Sequence, residues 1–135
     1  MRSKHSLPHY RIAVVGSGAI GGYYGAKLAY YGRDVHFLMR GDLQPVRRFG
    51  LAIKSKSENI RVAKVNCYNS SEEIGPCDLV LIALKATAND ALLELIPPLL
   101  HERTMLLTLQ NGLGNEEFLS RHFGGERVLG GLCFV

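Results

Sequence analysis

Tyr10-Arg11-Ile12-Ala13-Val14-Val15-Gly16-Ser17-Gly18-Ala19-Ile20-Gly21 decides the fold. Residues 10–15 form an apolar run that reads as a fully buried strand. The segment from Ala19 to Tyr31 then carries apolar residues at helical spacing. Between them lies a G-x-G-x-x-G turn, and strand, tight turn and helix in that order suit a dinucleotide pyrophosphate. Gly16 permits the sharp turn, Gly18 lets the backbone approach phosphate oxygens, and Gly21 lets the helix lie close to the strand. Free N–H groups and the positive dipole end of the helix then face the anion. The candidate cradle is therefore the backbone of Gly16, Ser17, Gly18, Ala19, Ile20 and Gly21. Glycine spacing alone is a weak signal; the strand before it and the helix after it give it weight.

Strand-like and helix-like segments alternate beyond this turn. Asp34 to Met39 reads as a second buried strand. Gly41 to Phe49 reads as a polar turn with a short helix interrupted by Pro45. Leu51–Ser55 and Ile60–Val65 alternate with period two around polar Lys56-Ser57-Glu58-Asn59, as in a hairpin with one wet face. Ser70 opens a short helical turn that ends at Gly75-Pro76. Asp78 to Leu84 is the most apolar run and predicts a central strand of a parallel sheet. A helix is expected from about Thr87 to Leu95, capped by Thr87 or Asn89, with its end perturbed by Pro97-Pro98. Met105–Leu109 is a further strand running into Gln110-Asn111-Gly112-Leu113-Gly114. Asn115 caps a helix to about His122, and Arg127–Val135 reads as the last strand. This alternation predicts an α/β fold: a Rossmann-like, doubly wound, mostly parallel sheet with helices on both faces.

With 135 residues, 47% hydrophobic and 21% charged, the chain has the composition of one globular domain. No apolar run approaches the roughly 20 residues that span a bilayer, so no membrane partner is expected. Residues 1–9 are polar and basic, lack a secretory apolar segment, and read as a disordered tail preceding a domain over 10–135. His5 and His9 lie four apart, yet without further ligands they predict no metal site. Cys67, Cys77 and Cys133 form no C-x-x-C pair and no disulfide framework, which suits reduced thiols in a cytoplasmic protein. The net charge of +4 comes from scattered basic residues without interleaved aromatics, so no nucleic-acid partner is expected. Positive charge does suit a polyphosphate ligand. Tyr23-Tyr24 and Tyr30-Tyr31 recur seven apart on the first helix and read as core or as a contact to another domain. Glu116 and Glu117 read as charges that compensate a helix dipole.

Ligands of doubly wound sheets bind beyond the C-terminal ends of the strands, where four features converge. Beside the glycine turn, Arg40 ends the second strand, Lys85 ends the long apolar strand, and Asn111 ends the next. NAD-preferring proteins usually place an acid where Met39-Arg40 stand, about 20 residues beyond the glycines. Arginine there can hold a 2′-phosphate by charge-assisted hydrogen bonds, which favours NADP(H); a solvated arginine is the plain alternative. Lys85 reads equally as a ligand-binding cation or as a strand-end lysine whose stem packs while its ammonium reaches water. Asn111 reads equally as a turn residue before Gly112 or as an amide reaching nicotinamide or a substrate oxygen.

Taken together, the glycine motif, Leu38-Met39-Arg40-Gly41, the strand ending in Leu84-Lys85-Ala86 and Gln110-Asn111-Gly112-Leu113-Gly114 resemble the ketopantoate reductases (2-dehydropantoate 2-reductases). The resemblance runs from Tyr10 onward and covers that family's N-terminal half. It implies an NADP-dependent oxidoreductase that reduces ketopantoate to pantoate in pantothenate biosynthesis. It also implies that Gly16–Gly21 hold the pyrophosphate, Arg40 the 2′-phosphate and Lys85 the cofactor, with Asn111 near both nicotinamide and substrate. In that family the general-acid lysine and several substrate-binding polar residues belong to a helical C-terminal domain absent from this chain, so no catalytic residue is assigned here. These 135 residues alone are expected to bind cofactor without turnover. The alternatives are a related dehydrogenase acting on another 2-oxo or 2-hydroxy acid, or a non-catalytic nucleotide-binding module. The chain ends on an apolar strand, as expected of a sequence cut at a domain boundary. Apolar surface left open by a missing partner domain favours association, with a homodimer as the candidate assembly.

Overall fold

The computed structural model describes residues 9–16, 18–39, 43–110 and 114–130; Ser17, Arg40, Asn111 and Cys133 lie outside the described residues, as does nearly all of the expected tail. Among the described residues, six strands form one parallel sheet. They are β1 (Arg11–Val15), β2 (Asp34–Leu38), β5 (Asn66–Tyr68), β6 (Leu79–Ile82), β7 (Met105–Thr108) and β8 (Val128–Gly130). Their spatial order is β5-β2-β1-β6-β7-β8, and every adjacent pair is parallel. The chain moves outward from β1 to β2 and β5, then returns to lay β6 on the other side of β1. The strand order therefore reverses between β1 and β6, where an open α/β sheet forms its ligand crevice.

Apolar runs become central strands because both of their faces are covered. Val14, Val15, Val80 and Ile82 have no exposed surface, and Ala13 is equally enclosed. Helix α1 (Ala19–Tyr30) and α2 (Leu43–Phe49) cover one face, where Leu28, Leu43 and Val46 pack with Ile12, Val14, Val35 and Phe37. On the other face lie α3 (Ser71–Ile74), α4 (Asn89–Leu95) and α5 (Asn115–Phe123), whose Ile74, Leu92 and Leu119 pack on Ala13, Val80 and Leu106. Each fully buried aliphatic side chain contributes on the order of 2 kcal/mol, so these two clusters hold the sheet.

Coverage of the first face is uneven. Val14, Leu81, Leu107 and Leu129 lie side by side in register across β1, β6, β7 and β8. Val14 is fully enclosed beside α1, whereas Leu129 is 49% exposed at the far edge. A groove of about 540 Å³ runs along this open half, lined by Tyr10, Ile12, Leu79, Met105 and Leu129, with Asp78 and His101 at its rim.

Several expected boundaries shift. Pro45 does not interrupt α2: it sits in the first turn, where a missing N–H costs no intrahelical bond. The hairpin forms as β3 (Leu51–Lys54) and β4 (Asn59–Val62), antiparallel, and packs against α1, with Lys27 Nζ 2.7 Å from Glu58 Oε1. Strand β5 was not anticipated. Neither Thr87 nor Asn89 caps α4, since a 3-10 turn over Ala86–Ala88 precedes it and Ala88 takes the cap position. Likewise Gly114, at φ 88°, rather than Asn115 caps α5. Of the paired tyrosines, Tyr30 and Tyr31 are not core, being 52% and 65% exposed, whereas Tyr23 and Tyr24 are half-buried.

At the amino edge, Asp78 joins three elements. Its Oδ2 accepts the Arg11 backbone N–H at 2.8 Å, and its Oδ1 lies 2.8 Å from His101 Nε2. The Arg11 bond and the His101 contact hold this carboxyl below its ordinary range. Cys67 and Cys77 are buried, and burial pushes both thiols up, making them poor nucleophiles.

Candidate functional site

The glycine turn is packed against the end of β6. Gly16 has φ 96°, and a Cβ there would lie 2.8 Å from the Leu84 nitrogen and 2.9 Å from the Ala83 carbonyl carbon. A Cβ on Gly21 would overlap the Gly16 carbonyl oxygen itself and would stand 3.2 Å from Ala83 Cβ. These two glycines are therefore required by the protein's own backbone, which draws β1, α1 and β6 together at the reversal point.

Gly18 differs. It is exposed, its φ is −66°, and an added Cβ would meet nothing within 4 Å. Among the described residues no protein atom requires glycine at this position. The open space instead suits a ligand approaching the backbone, as a pyrophosphate does in a glycine-rich turn. The start of α1 is prepared for an anion in a second way. Gly18 offers no side-chain cap, and the first turn contains no acidic residue. Its first N–H groups consequently carry uncompensated positive potential. Helix α5, by contrast, has Glu116 and Glu117 in its first turn.

Lys85 lies on the same edge, although not at the strand terminus itself. β6 closes at Ile82, so Lys85 stands three residues further on, in the loop leading to the 3-10 turn. Its side chain is exposed and makes no hydrogen bond or ion pair among the described residues; its carbonyl accepts the Ala88 N–H at 2.8 Å. The sheet thus brings together the glycine turn and Lys85. Arg40 and Asn111 follow the C-terminal ends of β2 and β7 in the chain, but both fall outside the described residues, together with Ser17.

A polar network between the end of β7, α4 and α5 was not legible in the sequence. Thr108 donates its hydroxyl to Gln110 Oε1 at 2.8 Å and accepts the Gln110 backbone N–H at 3.2 Å. Gln110 Nε2 donates to Asn89 Oδ1 at 2.6 Å, and Asn89 Nδ2 donates to Asn115 Oδ1 at 3.0 Å. Thr108 and Asn115 are buried, so the network ties the end of β7 to the starts of α4 and α5 inside the protein. Only the abundance of amides near these elements hinted at it; the pairing spans 21 and 26 residues of chain.

The family model described as ketopantoate reductase PanE/ApbA matches residues 12–135. A curated relative, the 2-dehydropantoate 2-reductase of Nostoc sp., is 43% identical over 125 residues, covering 93% of this chain and 39% of the relative. The crystal structure of 2-dehydropantoate 2-reductase from Geobacter metallireducens superposes with TM-score 0.91 at 52% identity, covering 93% of this chain and 42% of that one. A D-mandelate dehydrogenase solved with NADH and anilino(oxo)acetate shares the fold, with TM-score 0.80 at 24% identity. The chain spans about two fifths of the length of these relatives.

Proposed function

The chain belongs to the ketopantoate reductase PanE/ApbA family, and from that premise we propose that it is the NADP(H)-binding part of a 2-dehydropantoate 2-reductase. The observation that carries this reading is the open space at Gly18 among the described residues, over a helix start whose first turn holds no acid. Residues 10–135 form the cofactor half in this reading, and a helical substrate-binding part lies outside the chain.

The backbone N–H groups of Gly18, Ala19 and Ile20 would bind the pyrophosphate, with Ser17 completing the turn. Arg40, following β2, would hold the 2′-phosphate, because no acid occupies that place in the sequence. Adenosine on the β2 side leaves the nicotinamide to the β6 and β7 side, where Lys85 would neutralise phosphate charge and Asn111 would orient the nicotinamide amide and the substrate's oxygen. Bound NADPH supplies the hydride that turns the keto carbon of a 2-oxo acid into an alcohol carbon. The proton for the resulting oxygen would come from a lysine outside these 135 residues.

The test measures NADPH consumption with ketopantoate present, using this chain alone and grafted in place of the matching segment of the Geobacter metallireducens relative. Turnover by the graft and none by the chain alone is expected. A graft that binds NADPH but never turns over ketopantoate would reject the reductase reading. A second reading keeps the cofactor site and changes the 2-oxo acid; it is favoured by the same fold in a D-mandelate dehydrogenase. Turnover of phenylglyoxylate in preference to ketopantoate by the polypeptide that extends this chain would select it.

A further inference from the structure

We propose that α2 and the β3–β4 hairpin form a cationic lobe that speeds capture of the dinucleotide's phosphates by long-range attraction. The inference rests on the dinucleotide reading above and gives that site an approach route, carried by residues that need not touch the bound ligand. Basic residues are scattered along the sequence, yet residues 43–65 hold six of its 16 lysines and arginines and one of its 12 acids. That segment sums to +5 while the whole chain sums to +4, so everything else sums to −1. The excess positive charge is therefore a local property of this lobe. Arg47, Arg48, Lys54, Lys56, Arg61 and Lys64 are all exposed. Among the described residues none of them has a carboxylate within ion-pair distance, and the lobe's one acid, Glu58, is held by Lys27 of α1. Arg47 and Arg61 donate to the carbonyls of Cys67 and Phe49, which leaves their charge uncompensated. The side chains of Lys54, Lys56 and Lys64 make no hydrogen bond or ion pair among the described residues.

The lobe is fastened to the elements that build the site. Its hairpin packs on α1, whose acid-free start lies at Gly18. Leu43 and Val46 of α2 share one buried cluster with Met39, just past the carboxyl end of β2. Helix α1 has 12 residues and is about 18 Å long, so a hairpin lying on it stands within about 30 Å of the phosphate site. Charges act over about 30 Å at 10 mM ionic strength and only about 8 Å at 150 mM. NADPH carries about four negative charges and NADH about two, all on phosphates, so the attraction is stronger for NADPH. A field of this kind raises the association rate and leaves dissociation almost untouched.

The experiment is stopped-flow association of NADPH and NADH with the whole 135-residue chain at about 10 and 150 mM ionic strength. One variant, Lys54→Glu with Lys64→Glu, reverses two charges of the lobe. A second, Arg103→Glu with Arg121→Glu, makes the same change in net charge at two exposed residues remote from the lobe, before β7 and in the last turn of α5. The lobe variant is expected to slow NADPH association about fivefold and NADH about twofold at low salt, with dissociation rates unchanged. At 150 mM its effect on either nucleotide should shrink below about twofold. The remote variant should stay within about twofold of wild type throughout. Equal slowing by both variants would make net charge the cause and overturn the lobe's role, as would unchanged low-salt rates in the lobe variant. Faster dissociation with an unchanged association rate would also overturn it, because Lys54 and Lys64 would then be contacts to the bound ligand. Wild-type chain that binds neither nucleotide would instead remove the dinucleotide reading itself, and this inference with it.

Discussion

The Gly16 carbonyl oxygen occupies the space that a Cβ on Gly21 would need, and Gly16 itself lies against the backbone of Ala83 and Leu84. Helix α1 can therefore sit on the end of β1 only because residue 21 carries no side chain, and β6 can sit beside the turn only because residue 16 carries none. Two glycines of the motif close the protein on itself, while the third, Gly18, faces open space. A pattern usually read as one ligand signature divides here into a packing requirement and a binding requirement.

Substitution separates the two. Gly21→Ala forces a methyl group into a backbone oxygen that cannot move independently of β1, and is expected to cost about 1–3 kcal/mol. Gly18→Ala, at a φ any residue adopts, is expected to cost less than about 1 kcal/mol as a helix-cap change. The same Gly18→Ala should weaken NADPH binding at least about tenfold, since its methyl group enters the phosphate's approach. Urea denaturation and dinucleotide titration of both variants check the division. A Gly18→Ala chain of normal affinity would place the ligand elsewhere.

The Lys85 side chain is exposed and makes no hydrogen bond or ion pair among the described residues. Lys85→Ala should leave unfolding unchanged within about 0.5 kcal/mol. It should lower NADPH affinity several-fold and make that affinity less sensitive to added salt, because one cation facing the phosphates is lost. Titrations at two ionic strengths measure both effects.

Much of this architecture was legible in sequence, for reasons visible in particular residues. Val14, Val15, Val80 and Ile82 are fully buried in the central strands β1 and β6, and such strands announce themselves as unbroken apolar runs. Asn66-Cys67-Tyr68 gave no such signal. It is three residues long with only Cys67 buried, and it becomes a strand through its pairing with His36, Phe37 and Leu38. The extent of β6 was overread for a related reason: Ala83 and Leu84 continue the apolar run, but they pack beside the glycine turn instead of extending the sheet ladder. Pairings of polar side chains such as Asn89 with Gln110 depend on tertiary placement and leave no periodic trace.

A pH dependence follows from the β2–β5 edge. His36 is buried, with Nε2 2.7 Å from Asp34 Oδ1 and Nδ1 3.1 Å from the Tyr68 hydroxyl. Burial, then the nearby Arg11 charge, lowers its pKa despite Asp34, so the ring stays neutral near pH 7 and donates from Nε2 while Tyr68 donates to Nδ1. A histidine with a lowered folded pKa contributes stability that is fully present above 6.5 and is lost as pH falls from there through the folded value. Burial raises the Asp34 carboxyl, but His36, His9 and Arg11 outweigh it and hold it below its ordinary value, so Asp34 adds a loss of the same sign only at more acidic pH. Thermal unfolding from pH 7.5 down to about pH 5 is expected to show a falling midpoint. His36→Gln, which can keep both contacts without titrating, should flatten the fall; an unchanged slope would place its source in another group.

The open half of the first sheet face is expected to drive self-association. Leu129 is 49% exposed in line with Leu107 and Leu81, and Tyr10 at the groove is 57% exposed. Contiguous apolar surface of this kind favours association. Sedimentation of the chain over a range of concentrations should show a reversible increase in mass that Leu129→Lys reduces. A strictly monomeric wild type would show that this face is not sticky.

The most direct test of the cofactor assignment is a side-by-side titration of the 135-residue chain with NADPH and NADH at matched salt, repeated with Arg40→Ala. The expected result is tighter binding of NADPH, by about tenfold or more, and loss of that preference in Arg40→Ala with NADH affinity unchanged. Equal affinities in the wild-type chain, or a preference that survives Arg40→Ala, would contradict the assignment of a 2′-phosphate site to the end of β2.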